Sequence, residues 1–267
     1  MAGPSVAVPL LKWAGGKRWL ASRIGALAPA TGGTYFEPFA GSAAMFFRSA
    51  PTKAVLSDVN AELIECYQAI KDSPTKVTDF LKNHARQHSD KYYYQVRAMN
   101  CRSPHGRAAR FIYLNRTCWN GLYRVNFRGE FNVPRGTKND VILPTDDLYA
   151  ISALFSKAEL VCSDFEAQIN RSKKGDLIFA DPPYTVDQNL NGFIKYNGVP
   201  FSWDDQLRLC AVLLRAKSRG VVVFVTNADH ESVRNLYKDF EIKGTKRYSA
   251  IAGIGNKRGS VSELIIQ

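Results

Sequence analysis

The chain has 267 residues, of which 45% are hydrophobic and 22% are charged, so it can bury a substantial core. This composition excludes an intrinsically disordered chain. The formal net charge of +12 suits a polyanionic partner better than a neutral metabolite, although a basic surface that only maintains solubility would give the same balance.

The cysteines and the N-terminus indicate the compartment. The cysteines lie far apart without a Cys-x-x-Cys pair, so we predict reduced thiols and no metal site; they are Cys66, Cys101, Cys118, Cys162 and Cys210. The N-terminus lacks a signal-peptide pattern, and no apolar run approaches the roughly 20 residues that span a bilayer. We therefore expect a soluble, cytoplasmic protein.

The first 59 residues alternate between helix and strand patterns. Residues 17–28 carry apolar side chains at helical spacing and stop at Pro29, which predicts a helix. Short strands are predicted at 34–39 and 54–58, on either side of a turn of small residues at 40–44. This order is the opening of a βαβ unit.

The pattern from Asn60 to about Ala158 is that of a helical insertion. Helices are predicted over residues 62–71, 76–83, 92–99 and 107–116. Residues 123–127 and 130–133 then alternate around Arg128-Gly129, which predicts a β-hairpin projecting from the helices.

The strand and helix alternation returns after residue 159. Strands are predicted at 160–163, 177–181 and 221–227, with helices at 204–217 and 231–237 and a final antiparallel pair at 243–251 and 261–266. Ser202 and Asp205 form a capping box before the first of these helices. We predict an α/β fold in which residues 1–59 and 159–267 form one domain and residues 60–158 an inserted one.

The sharpest motif is Asp181-Pro182-Pro183-Tyr184, which follows the apolar strand Leu177-Ile178-Phe179-Ala180. Open α/β sheets bind ligands at this carboxyl edge of their strands. The prolines remove N–H donors and leave carbonyl acceptors, Asp181 adds a carboxylate, and Tyr184 offers a flat ring. Such a loop can hold an amino group on a planar ring, and an ordinary turn leaving a strand is the structural alternative.

Two further motifs surround the first strand. Phe36-Glu37-Pro38-Phe39-Ala40-Gly41-Ser42-Ala43 runs from a strand into small residues and a helix, which lets a nucleoside approach the backbone. Asp58, at the end of the next strand, is placed to accept hydrogen bonds from ribose hydroxyls. Upstream, Leu11-Lys12-Trp13-Ala14-Gly15-Gly16-Lys17 sets two lysines and an aromatic around a turn. Tight packing alone would also explain each glycine.

Together these motifs, in this order, resemble the Dam-like DNA adenine methyltransferases over nearly the whole chain. The residues that look like the target-recognition segment of that family are Tyr113-Leu114-Asn115-Arg116, Asn120-Gly121-Leu122-Tyr123-Arg124 and Arg128-Gly129-Glu130-Phe131-Asn132-Val133-Pro134. The resemblance implies a Rossmann-like, S-adenosylmethionine-dependent methyltransferase sheet with an inserted helical target-recognition domain that carries the β-hairpin. One departure is Ala43, where many relatives have a glycine, and it affects only the expected packing around the cofactor.

The resemblance also implies residue roles. The methionine end of S-adenosylmethionine is expected at Trp13 and Lys17, its ribose at Asp58 and its adenine at Asp164 and Phe165. The full expected cofactor set is Trp13, Lys17, Glu37, Phe39, Gly41, Asp58, Asp164, Phe165 and Asp181. The expected catalytic residues are Asp181, Pro182 and Tyr184, and the expected contacts to double-stranded DNA are Lys12, Arg116, Trp119, Asn120 and Arg124. The favoured target is GATC, and we expect a monomer without an obligatory protein partner.

The target amino nitrogen is a poor nucleophile and lies inside the duplex, so the enzyme is expected to extrude the adenine. Tyr184 would stack on the base while Asp181 and the Pro182 carbonyl accept its amino hydrogens. Alignment and electrostatic preorganisation would then suffice for direct attack on the methyl group, without a metal or a covalent enzyme intermediate.

Other activities share parts of this pattern. A cytosine-N4 methyltransferase could use a related Pro-Pro-Tyr loop, and methyltransferases of RNA or protein glutamine more often carry Asn-Pro-Pro-Tyr. A nicotinamide oxidoreductase would also use the glycine turn and Asp58, but it leaves Asp181-Pro182-Pro183-Tyr184 and the basic insert unexplained. A catalytically silent DNA-binding protein would tolerate loss of Asp181 or Tyr184, and both are present.

Overall fold

The computed structural model describes residues 7–186, 201–248 and 260–267, and a seven-stranded mixed sheet forms the centre of the molecule. The strands are β1 Tyr35–Glu37, β2 Ala54–Asp58, β3 Ala158–Cys162, β4 Leu177–Ala180, β5 Val222–Ala228, β6 Ile242–Tyr248 and β7 Ser260–Ile266. Their order is β3-β2-β1-β4-β5-β7-β6. The predicted α/β fold is therefore confirmed, and the sheet is consistent with a Rossmann-like methyltransferase.

The first five strands run parallel, and β7 runs antiparallel to both β5 and β6. A parallel pair needs a crossover connection of about a dozen residues or more, and the connections between these strands contain helices. The predicted antiparallel pair at the end of the chain is confirmed for β6 and β7; residues 249–251 of the predicted first run lie outside the described residues.

The described helices are α1 Arg18–Ile24, α2 Ala44–Ser49, α3 Ala61–Asp72, α4 Pro74–Gln87, α5 Asp90–Ala98, α6 Pro104–Thr117, α7 Leu148–Phe155, α8 Phe165–Ile169, α9 Trp203–Ser218 and α10 Glu231–Leu236. Helix α9 begins with the predicted capping box, in which the Ser202 side chain accepts from the Asp205 backbone and Asp205 accepts from Ser202. Short helices α7 and α8 were not predicted.

The alternation of side chains along the strands divides the core between the two faces of the sheet. Phe36, Val55 and Ile178 point to one face, where they pack with residues of α8, α9 and α10. Tyr35 and Leu56 point to the other face, where the core continues without interruption into helices α3 to α7. Residues 60–158 therefore share a core with the sheet, and their description as a separate inserted domain stays a prediction.

The predicted hairpin is present as a short antiparallel pair between Val125 and Phe131. The Asn126 backbone donates to Glu130 O at 2.9 Å, and the Asn126 side chain accepts from the backbone of Arg128. Gly129 has a φ of +77°, which explains the glycine at this turn. Among the described residues, no helix is long and apolar enough to cross a membrane.

Candidate active site

The three sequence motifs meet at the point where the strand order reverses. The chain steps outward from β1 to β2 and β3, then returns to place β4 on the other side of β1. Doubly wound sheets bind ligands in the crevice above such a switch point, at the carboxyl ends of the strands. Gly41 follows β1, Asp58 ends β2 and Asp181 follows β4, so all three lie at this edge.

Asp181 is held by one cation and one hydroxyl. The Lys17 Nζ lies 2.7 Å from Asp181 Oδ1, and the Thr226 hydroxyl of β5 donates to the same oxygen at 2.6 Å. Burial raises the pKa of the Asp181 carboxyl, while Lys17 and these hydrogen bonds oppose that rise. The motif at the N-terminus and the motif after β4 are thus joined by an ion pair.

Tyr184 lies against the same lysine. The Lys17 Nζ is 4.7 Å from the centroid of the Tyr184 ring, a cation–π geometry, and it also donates to Gly15 O at 2.7 Å. The Tyr184 hydroxyl donates to Glu263 Oε2 at 2.8 Å. Burial raises the pKa of Tyr184 well above its ordinary value, so the phenol stays protonated. Pro182 is buried in the loop between Asp181 and Tyr184.

The turn after β1 is fixed by two carboxylates. Glu37 Oε2 accepts from the Tyr35 hydroxyl at 2.8 Å and from the Phe46 backbone, in the first turn of α2, at 3.0 Å. Burial raises the pKa of Glu37 to about 8. Asp58 Oδ2 accepts from the Gly41 backbone at 3.0 Å, and burial raises the pKa of this carboxyl too. Both predicted cofactor residues therefore also shape the turn.

Gly41 has no room for a side chain. An added Cβ would lie 2.8 Å from Trp13 Cδ1, and the residue has a φ of +44°. The Gly41 carbonyl accepts from the Tyr67 hydroxyl at 2.5 Å. Glycine here lets Trp13 pack directly on the backbone of the turn.

An aromatic cluster lies beyond the turn. Phe39 stacks on Phe165 with ring centroids 5.3 Å apart, and Phe201 approaches Phe39 edge-on at 5.7 Å. Asp164 caps α8 by accepting from the Glu166 backbone, and both of its oxygens bind Arg208 at 2.8 and 2.9 Å. Phe201 and Arg208 were not predicted, although they lie on either side of the Ser202–Asp205 capping box.

Trp13 connects the turn to residues 60–158. Its ring stacks on Tyr123 at 5.6 Å and on Phe111 at 6.3 Å. The backbone of Lys12 pairs with the Asn115 side chain, which accepts from Lys12 N at 2.9 Å and donates to Lys12 O at 2.8 Å. The root of the hairpin is thereby tied to the carboxyl edge of the sheet.

The predicted DNA-binding residues fall into two groups. The side chains of Lys12, Trp119 and Asn120 are exposed at the protein surface. Asn120 has a φ of +55°. Arg124 is half-buried, and its Nε donates to Asn132 Oδ1 at 2.7 Å across the hairpin. The fully exposed Phe127 at the hairpin turn was missed, and its position beside the predicted turn was the available signal.

Arg116 does not fit the predicted role in DNA binding. Its side chain is buried, and its guanidinium donates to Asp146 Oδ1 at 2.7 Å, to Val141 O at 2.8 Å and to Leu10 O at 3.1 Å. The guanidinium is thus committed to internal partners. Arg116 holds α6, the 141–146 loop and the N-terminal segment together, and we remove it from the DNA-binding set.

Residues 13–251 match the model of the family described as D12 class N6 adenine-specific DNA methyltransferase. The chain is 37% identical to the type II methyltransferase M1.LlaDCHI of Lactococcus lactis subsp. cremoris, covering 97% of this chain and 94% of that one. It is 34% identical to the DNA adenine methylase of Serratia marcescens, covering 96% of each chain. It is 32% identical to the type II methyltransferase M.MjaIII of Methanocaldococcus jannaschii, covering 97% and 98%.

The mixed seven-stranded sheet and the loop after β4 are consistent with a Rossmann-like methyltransferase. The chain belongs to the D12 class of N6 adenine-specific DNA methyltransferases, so it is an enzyme that acts on DNA. The predicted resemblance is confirmed. This family sets aside the cytosine-N4, nicotinamide and silent DNA-binding alternatives.

Proposed function

We propose that this enzyme transfers a methyl group from S-adenosylmethionine to N6 of an adenine that is extruded from a GATC site in double-stranded DNA. The observation that carries the proposal is the pair of Asp181 and Tyr184 at the switch point, fixed by Lys17 at 2.7 Å and by Glu263 at 2.8 Å. This places one hydrogen-bond acceptor and one aromatic face side by side in the crevice that suits a ligand.

The residues at the crevice fit the proposed donor. Trp13 packs on the backbone of the Gly41 turn, Asp58 would offer a carboxylate to ribose hydroxyls, and the Phe39 and Phe165 rings suit an adenine. Glu37 would act through the turn that it braces, and Asp164 through its carboxylate beside Phe165.

Lys17 has one N–H left to donate to the methionine carboxylate of S-adenosylmethionine. An ammonium group has three N–H donors, and Asp181 and Gly15 take two of them. When bound, S-adenosylmethionine supplies an electrophilic methyl group on a sulfonium. The lysine would thereby set the distance between the methyl group and the base that Asp181 holds.

The base is activated by acceptors and by alignment. Asp181 and the Pro182 carbonyl would accept the two amino hydrogens, which localises electron density on the nitrogen, while Tyr184 stacks on the ring. With the methyl source held by Lys17, the amino nitrogen would take the methyl group from the sulfonium, whose sulfur would keep the carbon–sulfur electron pair. The amino group would then release one proton to solvent. The nearby Asp181 carboxylate stabilises the positive charge that develops before this release.

Replacement of Asp181 tests the chemistry. We expect Asp181→Ala to abolish methyl transfer while the Kd for DNA stays within a few-fold, because the lost contacts act on the amino group in the transition state. The measurement is single-turnover transfer of labelled methyl groups from S-adenosylmethionine to a GATC duplex, alongside a binding titration. Asp72→Ala, which removes an exposed carboxylate of α3, is the control. Near-normal transfer by Asp181→Ala would refute the assignment.

The hairpin and the segment before it are the proposed reading surface. Lys12, Trp119, Asn120 and Arg124 lie there, and the planar guanidinium of an arginine suits a guanine edge. Trp119 is 41% exposed, which leaves its ring available as a wedge in the base stack. Arg124 donates to Asn132 from both Nε and Nη2, and its guanidinium has further N–H donors beyond these two.

Single-base variants of GATC test the specificity. If Arg124 contacts a base, Arg124→Ala should reduce discrimination at one base pair by roughly 1–3 kcal/mol. Trp119→Ala should instead slow all sites, because it acts on extrusion. Methylation rates on GATC and each variant at one fixed salt concentration separate the two effects. A uniform loss for Arg124→Ala would mean that this arginine only braces the hairpin.

A further inference from the structure

A buried carboxylate on the last strand completes the cluster around Asp181. Glu263 belongs to β7, where its backbone faces Ala228 of β5 and Thr245 of β6, and it is only 1% exposed. Burying an ionisable group costs free energy unless the group is paired and hydrogen-bonded. The neighbours of Glu263 therefore indicate what it does.

One carboxylate oxygen of Glu263 lies close to both Tyr184 and Lys17. Glu263 Oε2 accepts from the Tyr184 hydroxyl at 2.8 Å and lies 4.0 Å from the Lys17 Nζ. Lys17 in turn contacts Asp181 at 2.7 Å and the Tyr184 ring face, with 4.7 Å to its centroid. Glu263 is thus the group that links the tyrosine proposed to stack on adenine with the lysine proposed to hold the donor.

The hydroxyl contact has a geometric effect on the ring. A tyrosine side chain turns about two bonds, and an anchor at its far oxygen restrains both the direction and the tilt of the ring. A stacking face must be held accurately, because a displacement of about 1 Å at a reacting centre can cost about 100-fold in rate. Since Glu263 is built into the sheet through β7, it provides a rigid anchor.

We propose that Glu263 is a positioning residue for methyl transfer, which orients Tyr184 through its hydroxyl and keeps Lys17 between two carboxylates. Glu263 acts through these side chains. The inference rests on the proposed function, because it assigns Tyr184 to the extruded adenine. The same strand pair supplies Thr226, which holds Asp181 at 2.6 Å, so β5 and β7 together anchor both ends of the Asp181-Pro182-Pro183-Tyr184 loop.

Four variants test the proposal by single-turnover methylation of a GATC duplex, with the Kd for S-adenosylmethionine and for DNA measured separately. Glu263→Leu fills the buried space without an acceptor, and Glu263→Gln keeps an acceptor oxygen. Tyr184→Phe removes the same hydrogen bond from the other side. The fourth variant combines Glu263→Leu and Tyr184→Phe. Ser262→Ala is the matched control, because it removes a side-chain hydrogen bond to Asp229 from the same strand.

We expect Glu263→Leu and Tyr184→Phe each to lower the rate about 10- to 100-fold, with both Kd values within about threefold of wild type. The double variant should be much faster than the product of the two losses predicts, because both variants break one link. Glu263→Gln should recover most of the rate, and Ser262→Ala should match wild type.

Two results would overturn the positioning role: a wild-type rate for Tyr184→Phe, or losses that multiply in the double variant. Tyr184→Phe decides the matter if Glu263→Leu fails to fold, since it breaks the same hydrogen bond. A wild-type enzyme that does not methylate GATC DNA would count against the proposed function. An active wild type with unimpaired single variants would count against Glu263 alone.

Discussion

Lys17 is the single described cation among three acidic or aromatic side chains of the site, the buried Glu263 and the half-buried Asp181 and Tyr184. Its Nζ lies 2.7 Å from Asp181 and 4.0 Å from Glu263, and the Tyr184 ring lies beside it. Burial raises the pKa of Asp181, Lys17 lowers it, and the charge of Glu263 raises it. The protonation of Asp181 is therefore set by its two charged neighbours as well as by burial.

The pH dependence of methyl transfer should follow these signs. If Asp181 must be ionised to accept an amino hydrogen, the rate falls as the pH drops through its raised pKa. Lys17→Met removes the cation that favours the carboxylate, so the acidic limb should move to higher pH. Glu263→Gln removes a like charge, so that limb should move to lower pH. Single-turnover rates between pH 4 and 9, at saturating donor, measure both shifts. Shifts in the same direction would contradict the assignment.

Sequence motifs could identify Asp181, Tyr184, Lys17 and Gly41, because each belongs to a local pattern of unusual residues. Glu263 and Thr226 could not be found in this way, since Thr226 reaches the site through the pairing of β5 with β4 and Glu263 through the pairing of β7 with β5. The charged residue within the apolar run of β7 was the one available signal. A buried carboxylate in a strand needs a partner, and the sequence does not say which.

Ala43 shows a second limit at the residue scale. Ala43 was expected to affect only the packing around the cofactor, whereas the structure gives it a φ of +52° at the start of α2. Left-handed backbone disfavours alanine by roughly 1–2 kcal/mol, so a glycine would be favoured at this position. The presence of alanine at position 43 does not reveal that the backbone is left-handed there.

At the scale of whole elements, helix α6 was predicted correctly, but the direction of one of its side chains was not. Its residues are buried on every side near the C-terminal end, including Asn115, Arg116 and Thr117. The helical period marks which residues share a face, and α6 is covered on several faces by other parts of the chain. The family resemblance implied a DNA contact for Arg116, whereas the structure buries its guanidinium against Asp146.

Arg116 should therefore matter for stability. Arg116→Met leaves Asp146 buried without its cation, and we expect the free energy of unfolding to fall by about 3–5 kcal/mol. Arg128→Met, at the exposed hairpin turn, should change it by less than about 0.5 kcal/mol. Urea unfolding of the two variants at pH 7 gives the comparison. Equal stability of Arg116→Met and wild type, with weaker DNA binding, would restore the original prediction.

Strands were predicted more fully than the short helices. Long apolar runs bounded by turn residues defined β2, β4 and β5 within one or two residues, because strands buried on both faces carry continuous apolar sequence. Helices α7 and α8 are only 8 and 5 residues long, too short to establish a helical period. Helix α7 packs mainly against α3 and α4, and α8 mainly against α9. Side-chain caps at Asp147 and Asp164 satisfy backbone N–H groups in their first turns.

The carboxyl and amino edges of the sheet give the molecule two distinct ends. The motifs lie at the carboxyl edge of the strands, and Trp13, stacked on Tyr123, joins that edge to the hairpin. The opposite edge carries a cleft of about 560 Å³ whose cationic residues include Lys53 and Lys157, each directly before a strand. Cationic side chains thus lie at both edges, and the net charge of +12 alone could not say which of them contact DNA.

The salt dependence of DNA binding separates the two edges. Lys12 is exposed on the reading surface, where burial of its stem and the charge of Lys138 lower its pKa. If Lys12 contacts a phosphate, Lys12→Ala should reduce the slope of log K against log salt by about 0.9 and weaken GATC and non-specific DNA about equally. Lys53→Ala, at the amino end of β2, should leave the slope unchanged. Fluorescence anisotropy from 50 to 200 mM salt gives each slope. An equal loss of slope in both variants would mean that DNA also contacts the edge opposite the active site.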